Sequence, residues 1–221
     1  MAGQLGDPIL ELGCGTGRVL TSLQETGHQI FGMDHNYGML SFLRNHHSHE
    51  ATSTFHLFQG DLTQFHLASR FNLIYLPCNT YSTLSRTERQ AALKCIKKHL
   101  LPSGAFVLSV PNPELFQDLP RDSEPEVEET FVYPKTGEMV QVSSAWTQSA
   151  GEIIFSWYYD IISDNGQVKR VTLATRHLLT PAHDYLAEIE SAGLQVTMKW
   201  GNFDGSPYSR DAPYLIVKTT S

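Results

Sequence analysis

Along the first half of the chain, apolar positions alternate between two spacings. Near-continuous apolar runs at 9–12 ("ILEL"), 28–34 ("HQIFGMD"), 53–61 ("STFHLFQGD"), 71–77 ("FNLIYLP") and 105–110 ("AFVLSV") read as strands, and such runs suit parallel strands covered on both faces. Between them, Val19, Leu20 and Leu23, then 37–46 ("YGMLSFLRNH") and 86–104 ("RTERQAALKCIKKHLLPSG"), place apolar residues at helical spacing, the last closed by Pro102 and Gly104. Strands alternating with helices predict an α/β fold, a doubly wound Rossmann-like sheet with mostly parallel strands.

The pattern then changes. The acidic stretch "DSEPEVEE" at 122–129 is expected to be a solvated loop. Three long strand-like segments follow at 138–148, 152–163 and 167–179, with hairpin signals at Ala150-Gly151 and Asn165-Gly166. They predict a three-stranded antiparallel insertion, spanning 128–179 within a single domain of 1–221. A helix over 180–193 takes Thr180 as N-cap, Pro181 as first residue and Gly193 at its end. Two last strands, at 194–200 and 213–219, complete a seven-stranded sheet. A two-residue type I′ turn at Asn165-Gly166 would set Trp157 opposite Ala174, Phe155 opposite Arg176 and Ile154 opposite His177. One face would then carry Phe155, Trp157, Tyr159 and Arg176, and the other Tyr158, Asp160 and His177.

The stretch "ILELGCGTGR" at 9–18 puts three glycines on a strand-to-helix turn. Glycine there permits positive φ and lets a ligand approach the main chain without meeting a Cβ. A nicotinamide fingerprint would place its third glycine three residues after the second, whereas Gly13, Gly15 and Gly17 alternate and Arg18 follows, which makes a dinucleotide the weaker reading. Composition narrows the partners. With 16 basic against 23 acidic residues, a net charge of -7 offers little attraction to nucleic acid or to an anionic membrane. Three cysteines, at 14, 78 and 95, form neither a disulfide framework nor a zinc spacing, no apolar run approaches ~18 residues, and a cytoplasmic protein is expected. "HHSHE" at 46–50 lacks matching ligands elsewhere, so no metal is expected. "KCIKKH" at 94–99 reads as the solvated end of a helix, where cations suit the dipole.

Glu11 leads the glycines, and acid-x-Gly-x-Gly-x-Gly resembles motif I of the class I S-adenosylmethionine-dependent methyltransferases of small-molecule type. Asp34 ends the second strand and Asp61 with Leu62 follows the third, at the family's cofactor positions. The segments "FNLIYLPCNTYSTL" and "LLPSGAFVLSV" resemble its fourth strand and the passage after it, with Ser103 replacing a glycine. The resemblance implies S-adenosyl-L-methionine as cofactor. Asp34, with His35 beside it, would hold the ribose hydroxyls. Asp61 would take a bond from the adenine amino group and the Leu62 backbone would donate one. Glu11 would face the methionine ammonium, with Gly13, Cys14, Gly15 and Gly17 forming the turn and Leu76, Cys78 and Asn79 holding the amino-acid portion.

The implied activity is methyl transfer to nitrogen or oxygen of a small-molecule acceptor, roofed by the insertion. There His177 offers a base, Arg176 an anion partner and Tyr158 an aromatic contact, while Asn79 and Tyr81 reach toward the acceptor or simply cap a loop. A homodimer formed through the insertion is the association considered. "LPCN" lacks the Asn-Pro-Pro-aromatic signature of adenine and glutamine methyltransferases. Relatives carry some tens of residues before motif I that close over the cofactor, and this chain has few. That leaves a second reading, a catalytically silent methyltransferase-like module that binds the cofactor or a partner protein.

Overall fold

The structure, a computed structural model, describes residues 2–47, 56–117 and 119–221. Its elements in chain order are α1 (Ala2–Leu5), β1 (Ile9–Leu12), α2 (Arg18–Gln24), β2 (Ile30–Asp34), α3 (Tyr37–His47), β3 (His56–Gln59), β4 (Phe71–Leu76), α4 (Thr80–Thr83), α5 (Arg86–His99), β5 (Leu100–Pro111), α6 (Pro113–Gln117), β6 (Glu126–Val132), β7 (Met139–Ser149), β8 (Glu152–Ile162), β9 (Val168–Leu178), α7 (Ala182–Ser191), β10 (Gln195–Trp200) and β11 (Tyr214–Thr220). They form two compact units, one of residues 1–115 and 181–221, the other of 116–180.

The first unit is a seven-stranded sheet in the order β10-β11-β5-β4-β1-β2-β3. Its five central and outer strands from β5 to β3 run parallel, while β11 pairs antiparallel with both β5 and β10. Side chains alternate along each strand, so each face of the sheet acquires its own core. On one face Leu10, Leu12, Ile74 and Phe106 pack with Leu93 and Ile96 of α5 and Tyr185 and Ile189 of α7. On the other, Ile9, Ile30, Leu73 and Tyr75 pack with Leu20 of α2 and Leu40 and Leu43 of α3. Full burial of one such Leu or Ile contributes about 1.5–3 kcal/mol. This explains why the runs are apolar at consecutive positions.

α5 starts with a capping box in which Ser85 and Glu88 each bond the other's backbone N–H. It stops at His99, short of the 104 expected. Residues 100–104 instead enter β5, where a Cβ on Gly104 would sit 2.8 Å from the Phe71 carbonyl oxygen, too close for any other residue type. Buried Arg89 of α5 and Glu188 of α7 form a two-point ion pair at 2.7 and 2.8 Å. Pro181, with φ −56 and ψ 148, is the N-cap of α7 in place of Thr180, and Gly193, at φ 78, lies just past its end. Only 56–59 of the third predicted strand falls within an observed strand, and its beginning at 53–55 lies outside the described residues, as do 48–50 of the histidine stretch.

The second unit is an antiparallel sheet in the order β6-β7-β8-β9. It has four strands where three were expected. The fourth, β6, uses the end of the acidic stretch. Val127 and Phe131 pair with Ser143 and Val140 of β7, while the exposed glutamates between them blunt an edge strand against further pairing.

The β8–β9 register also differs from expectation. Asn165 does not take the positive φ a type I′ turn requires; Gly166 alone does, at φ 80. The loop therefore spans three residues, closed by Ser163 N–H to Gln167 O at 3.0 Å and Gly166 N–H to Ser163 O at 2.9 Å. Ile153 lies opposite His177, Ile154 opposite Arg176, Phe155 opposite Thr175 and Trp157 opposite Leu173. A one-residue change of register exchanges the faces. His177 thus joins Phe155, Trp157 and Tyr159, and Arg176 joins Tyr158 and Asp160, the reverse of the expected arrangement.

Candidate functional site

In an open parallel sheet, a crevice forms at the carboxyl ends of strands where the order reverses, here between β1 and β4. The turn leaving β1 meets this edge. Gly13, Gly15 and Gly17 have φ of 67, 53 and 88, so the alternating glycines match alternating left-handed positions. The three differ in role. A Cβ on Gly17 would collide with the buried Leu43 side chain, which makes that glycine a requirement of packing. One on Gly13 would lie 3.5 Å from Thr80 Oγ1 and 3.8 Å from Leu76 Cδ1, and one on Gly15 would meet only Met39 Sδ, at 3.6 Å. These two keep the main chain bare on the crevice side.

The turn is tied to its neighbours by main-chain bonds from Cys14 N–H to Met33 O at 3.0 Å and from Gly17 N–H to Cys14 O at 2.9 Å. Asp34, 8% exposed, accepts from Gly15 N–H through Oδ2 and from Asn36 N–H through Oδ1, both at 2.8 Å. Gly60 N–H reaches the Asp34 carbonyl at 3.0 Å and Gln59 Nε2 donates to the His35 carbonyl at 2.9 Å, which joins the ends of β2 and β3; the His35 ring is exposed.

Glu11 is 2% exposed and lies beside its strand partner Tyr75, whose phenol donates to Oε2 at 2.6 Å. Burial pushes its carboxyl up to about 8, against the opposing pull of the Tyr75 bond and the Arg18 charge; the Asp34 charge adds to the rise. Burial likewise pushes the Cys14 thiol up to about 12, helped by the Glu11 and Asp34 charges, so it is no nucleophile. Among the described residues no cation lies within salt-bridge distance of Glu11. A buried acid so placed suits an incoming cation.

After β4, Cys78 and Asn79 are consecutive non-glycine residues in the left-handed region, at φ 59 and 63, a strained arrangement of the kind held at ligand-binding loops. Arg18 donates to Cys78 Sγ at 2.9 Å and so links this loop to the start of α2. Asp61, exposed, accepts from Thr63 N–H at 2.8 Å, Thr63 Oγ1 at 2.7 Å and Gln64 Nε2 at 2.9 Å, and these bonds hold its carboxyl below the usual range. Leu62 is half-buried against the core. Tyr81 does not reach outward: it is 0% exposed, packed against Tyr185 and the Arg89 guanidinium.

In the antiparallel unit, His177 is 8% exposed and edge-on to Phe155, with ring centroids 5.7 Å apart, and burial holds its imidazole below the ordinary value. Arg176 is exposed and paired with Glu152 at 3.0 Å. The Arg170 guanidinium lies over the Tyr158 ring at 5.1 Å and grips Asp160 at 2.7 and 2.6 Å. Tyr158 and Arg176 thus share one face and His177 occupies the other. Sequence reasoning missed Tyr75, Thr80 and Met39. For Tyr75 a signal existed: a phenol in an apolar strand, with the one acid of the neighbouring strand available to it.

A family model described as a methyltransferase domain matches residues 9–104, from the first strand to the start of the fifth. A cypemycin N-terminal methyltransferase of a Streptomyces species is 26% identical over 217 residues, covering 96% of this chain and 82% of its own. Among solved structures, the CcbJ methyltransferase of Streptomyces caelestis superposes with a TM-score of 0.83 at 20% identity, over 100% of this chain and 92% of its own. CalS10, an amino pentose methyltransferase of Micromonospora echinaspora solved with S-adenosylmethionine bound, gives 0.76 at 19% identity, over 100% and 88%.

Proposed function

The chain is a class I S-adenosylmethionine-dependent methyltransferase, and from that premise we propose that it methylates an amine nitrogen of a small-molecule acceptor. The observation that carries the cofactor half is the buried carboxyl of Glu11, without an ion-pair partner among the described residues, next to a glycine turn whose main chain is open to a ligand. S-adenosylmethionine, when bound, supplies a methyl group on a sulfonium sulfur, whose positive charge is lost during in-line transfer.

In this reading Glu11 receives the methionine ammonium and the bare main chain at Gly13 to Gly15 admits the ligand. Asp34 holds the ribose hydroxyls while Gly15 and Asn36 N–H hold Asp34. Asp61 keeps room for one donor beyond its three, the adenine amino group, since a carboxylate offers about four acceptor positions. Leu62 N–H, the His35 backbone and the Leu76–Asn79 main chain complete the contacts. Transfer needs orientation and exclusion of water more than acid or base.

Nitrogen is favoured because a curated relative is named an N-terminal methyltransferase and CalS10 an amino pentose methyltransferase. An amine must be neutral to react, and an imidazole kept neutral by burial is suited to accept its proton. We assign that role to His177, with Arg176 and Tyr158 as specificity residues. Homodimerisation through the antiparallel sheet, in which β9 is an outer strand, and a cytoplasmic setting, which suits three free cysteines, belong to the same proposal. No helix among the described residues is long and apolar enough to cross a membrane.

The test is transfer of a labelled methyl group from S-adenosylmethionine to matched panels of small amines and alcohols. Turnover confined to amines supports the reading, and turnover confined to alcohols overturns the choice of atom. Tight cofactor binding without any turnover would favour the silent module.

A further inference from the structure

Glu11 presents its two carboxyl oxygens unequally. Oε2 takes the Tyr75 phenol at 2.6 Å, while Oε1 takes no hydrogen bond from the described residues. Tyr75 is 7% exposed and fixed by strand pairing, with Tyr75 opposite Glu11 on one side and Val107 on the other. Phenol and carboxyl are therefore held by two adjacent strands of the sheet and not by a loop.

We propose that Tyr75 is a positioning residue for cofactor uptake: it clamps one oxygen of Glu11, presents the other to the ligand's ammonium, and couples binding to release of the Glu11 proton. The inference rests on the cofactor and not on the acceptor, so it fails or stands independently of the amine reading.

In the unliganded protein, burial keeps Glu11 protonated through neutral pH. The groups around it are few. Tyr75 faces it from β4, Cys14 from the turn, Arg18 from α2 and Asp34 from β2, with Cys78 near the Tyr75 phenol. Tyr75 and Cys14 are themselves pushed up and stay protonated, which leaves Glu11 as the proton donor of the set. As the ammonium arrives, the O–H bond at the free oxygen breaks, its electron pair remains on the carboxylate, and the proton leaves to solvent. The phenol O–H is untouched and now bonds a charged acceptor, a stronger bond than before.

The sign follows from counting protons. At about pH 6.5 the carboxyl is protonated and the ligand's α-amino group is charged, so binding releases about one proton. As pH rises past the Glu11 value of about 8 the release fades, and uptake prevails once the ligand's amine is itself mostly neutral, so the crossover lies between the two groups' values.

The experiment is calorimetric titration of the protein with S-adenosylhomocysteine, which carries the same amino-acid end, in buffers of different ionisation enthalpy at each pH. Release of about one proton at pH 6.5 and a crossover above the Glu11 value of about 8 are expected. Glu11→Gln should abolish release at low pH and keep uptake at high pH. Tyr75→Phe should weaken binding about tenfold or more at neutral pH and move the crossover upward, because the lost bond had favoured the ionised carboxyl. A core role alone would leave the crossover where it is. No proton release by the wild-type protein at pH 6.5, or an unmoved crossover in a folded Tyr75→Phe variant, overturns the proposal. The wild-type count tests it even where the Phe variant does not fold.

Discussion

The backbone N–H of Gly15 donates to Asp34 Oδ2 at 2.8 Å, so the acid ending β2 fastens the turn that leaves β1. In the proposed reading the same carboxylate is a ligand contact as well as a brace. Asp34→Ala loses both ribose bonds, worth about 1.5–3 kcal/mol each, and frees the turn as well. We expect at least a hundredfold loss of cofactor affinity by calorimetry. Asp61→Ala removes one adenine bond and should cost less. Equal losses in the two variants would remove Asp34 from its assigned role.

The glycines separate by substitution. Gly15→Val should leave a folded protein that no longer gains melting temperature from the cofactor, because its side chain meets only Met39 and the crevice. Gly17→Val should fail earlier. Its side chain strikes Leu43, which is 0% exposed, and it should lower the melting temperature with no ligand present. Thermal melts of both variants distinguish the two outcomes.

Removing one partner of a buried ion pair strands the other. Arg89→Met or Glu188→Leu alone should each cost about 3–5 kcal/mol, while the double variant should recover most of that loss. Urea unfolding of the three variants measures the coupling. Additive losses would show that the two side chains act separately.

His177 is held neutral by burial, its folded value lying below the ordinary one. The unfolded chain therefore takes up this proton first as pH falls. Its contribution to stability is complete above ~6.5 and declines as pH drops below that value. His177→Gln should lose less stability than wild type between about pH 7.5 and 5 in urea titrations. An identical loss would mean that the imidazole titrates freely.

For catalysis, His177→Ala should lower the methylation rate by roughly 10²-fold or more while cofactor affinity is kept. Arg176→Ala, which changes the opposite face and an exposed pair with Glu152, should affect acceptor KM more than kcat. A loss under about fivefold at His177 would exclude it as the base.

The mostly parallel sheet and the glycine turn were legible because burial on both faces and positive φ leave strong marks: consecutive apolar residues and alternating glycines. Asp34 was legible as an acid at a strand end, and its cofactor role came from the family resemblance. Tyr75 left a weaker mark, since a tyrosine within an apolar strand looks the same whether it packs or donates. The β8–β9 register turned on the backbone of Asn165 alone, a residue at home on either side of φ zero. The charges of Glu126 to Glu129 resembled a loop because an edge strand needs only one patterned side, and Pro102 with Gly104 signalled a turn that strand pairing with Phe71 overrode.

The sheet unit is assembled from two sequence segments, and Arg89 and Glu188 bond across the stretch that separates them. Over evolutionary time such a staple turns residues 116–180 into an exchangeable cassette. That stretch can be lengthened, shortened or rewritten while α7 keeps its packing on α5 and β10 and β11 keep their pairing beside β5. In the proposed reading, where that stretch meets the acceptor, substrate range and cofactor chemistry can change independently, and sequence divergence should concentrate between α6 and α7.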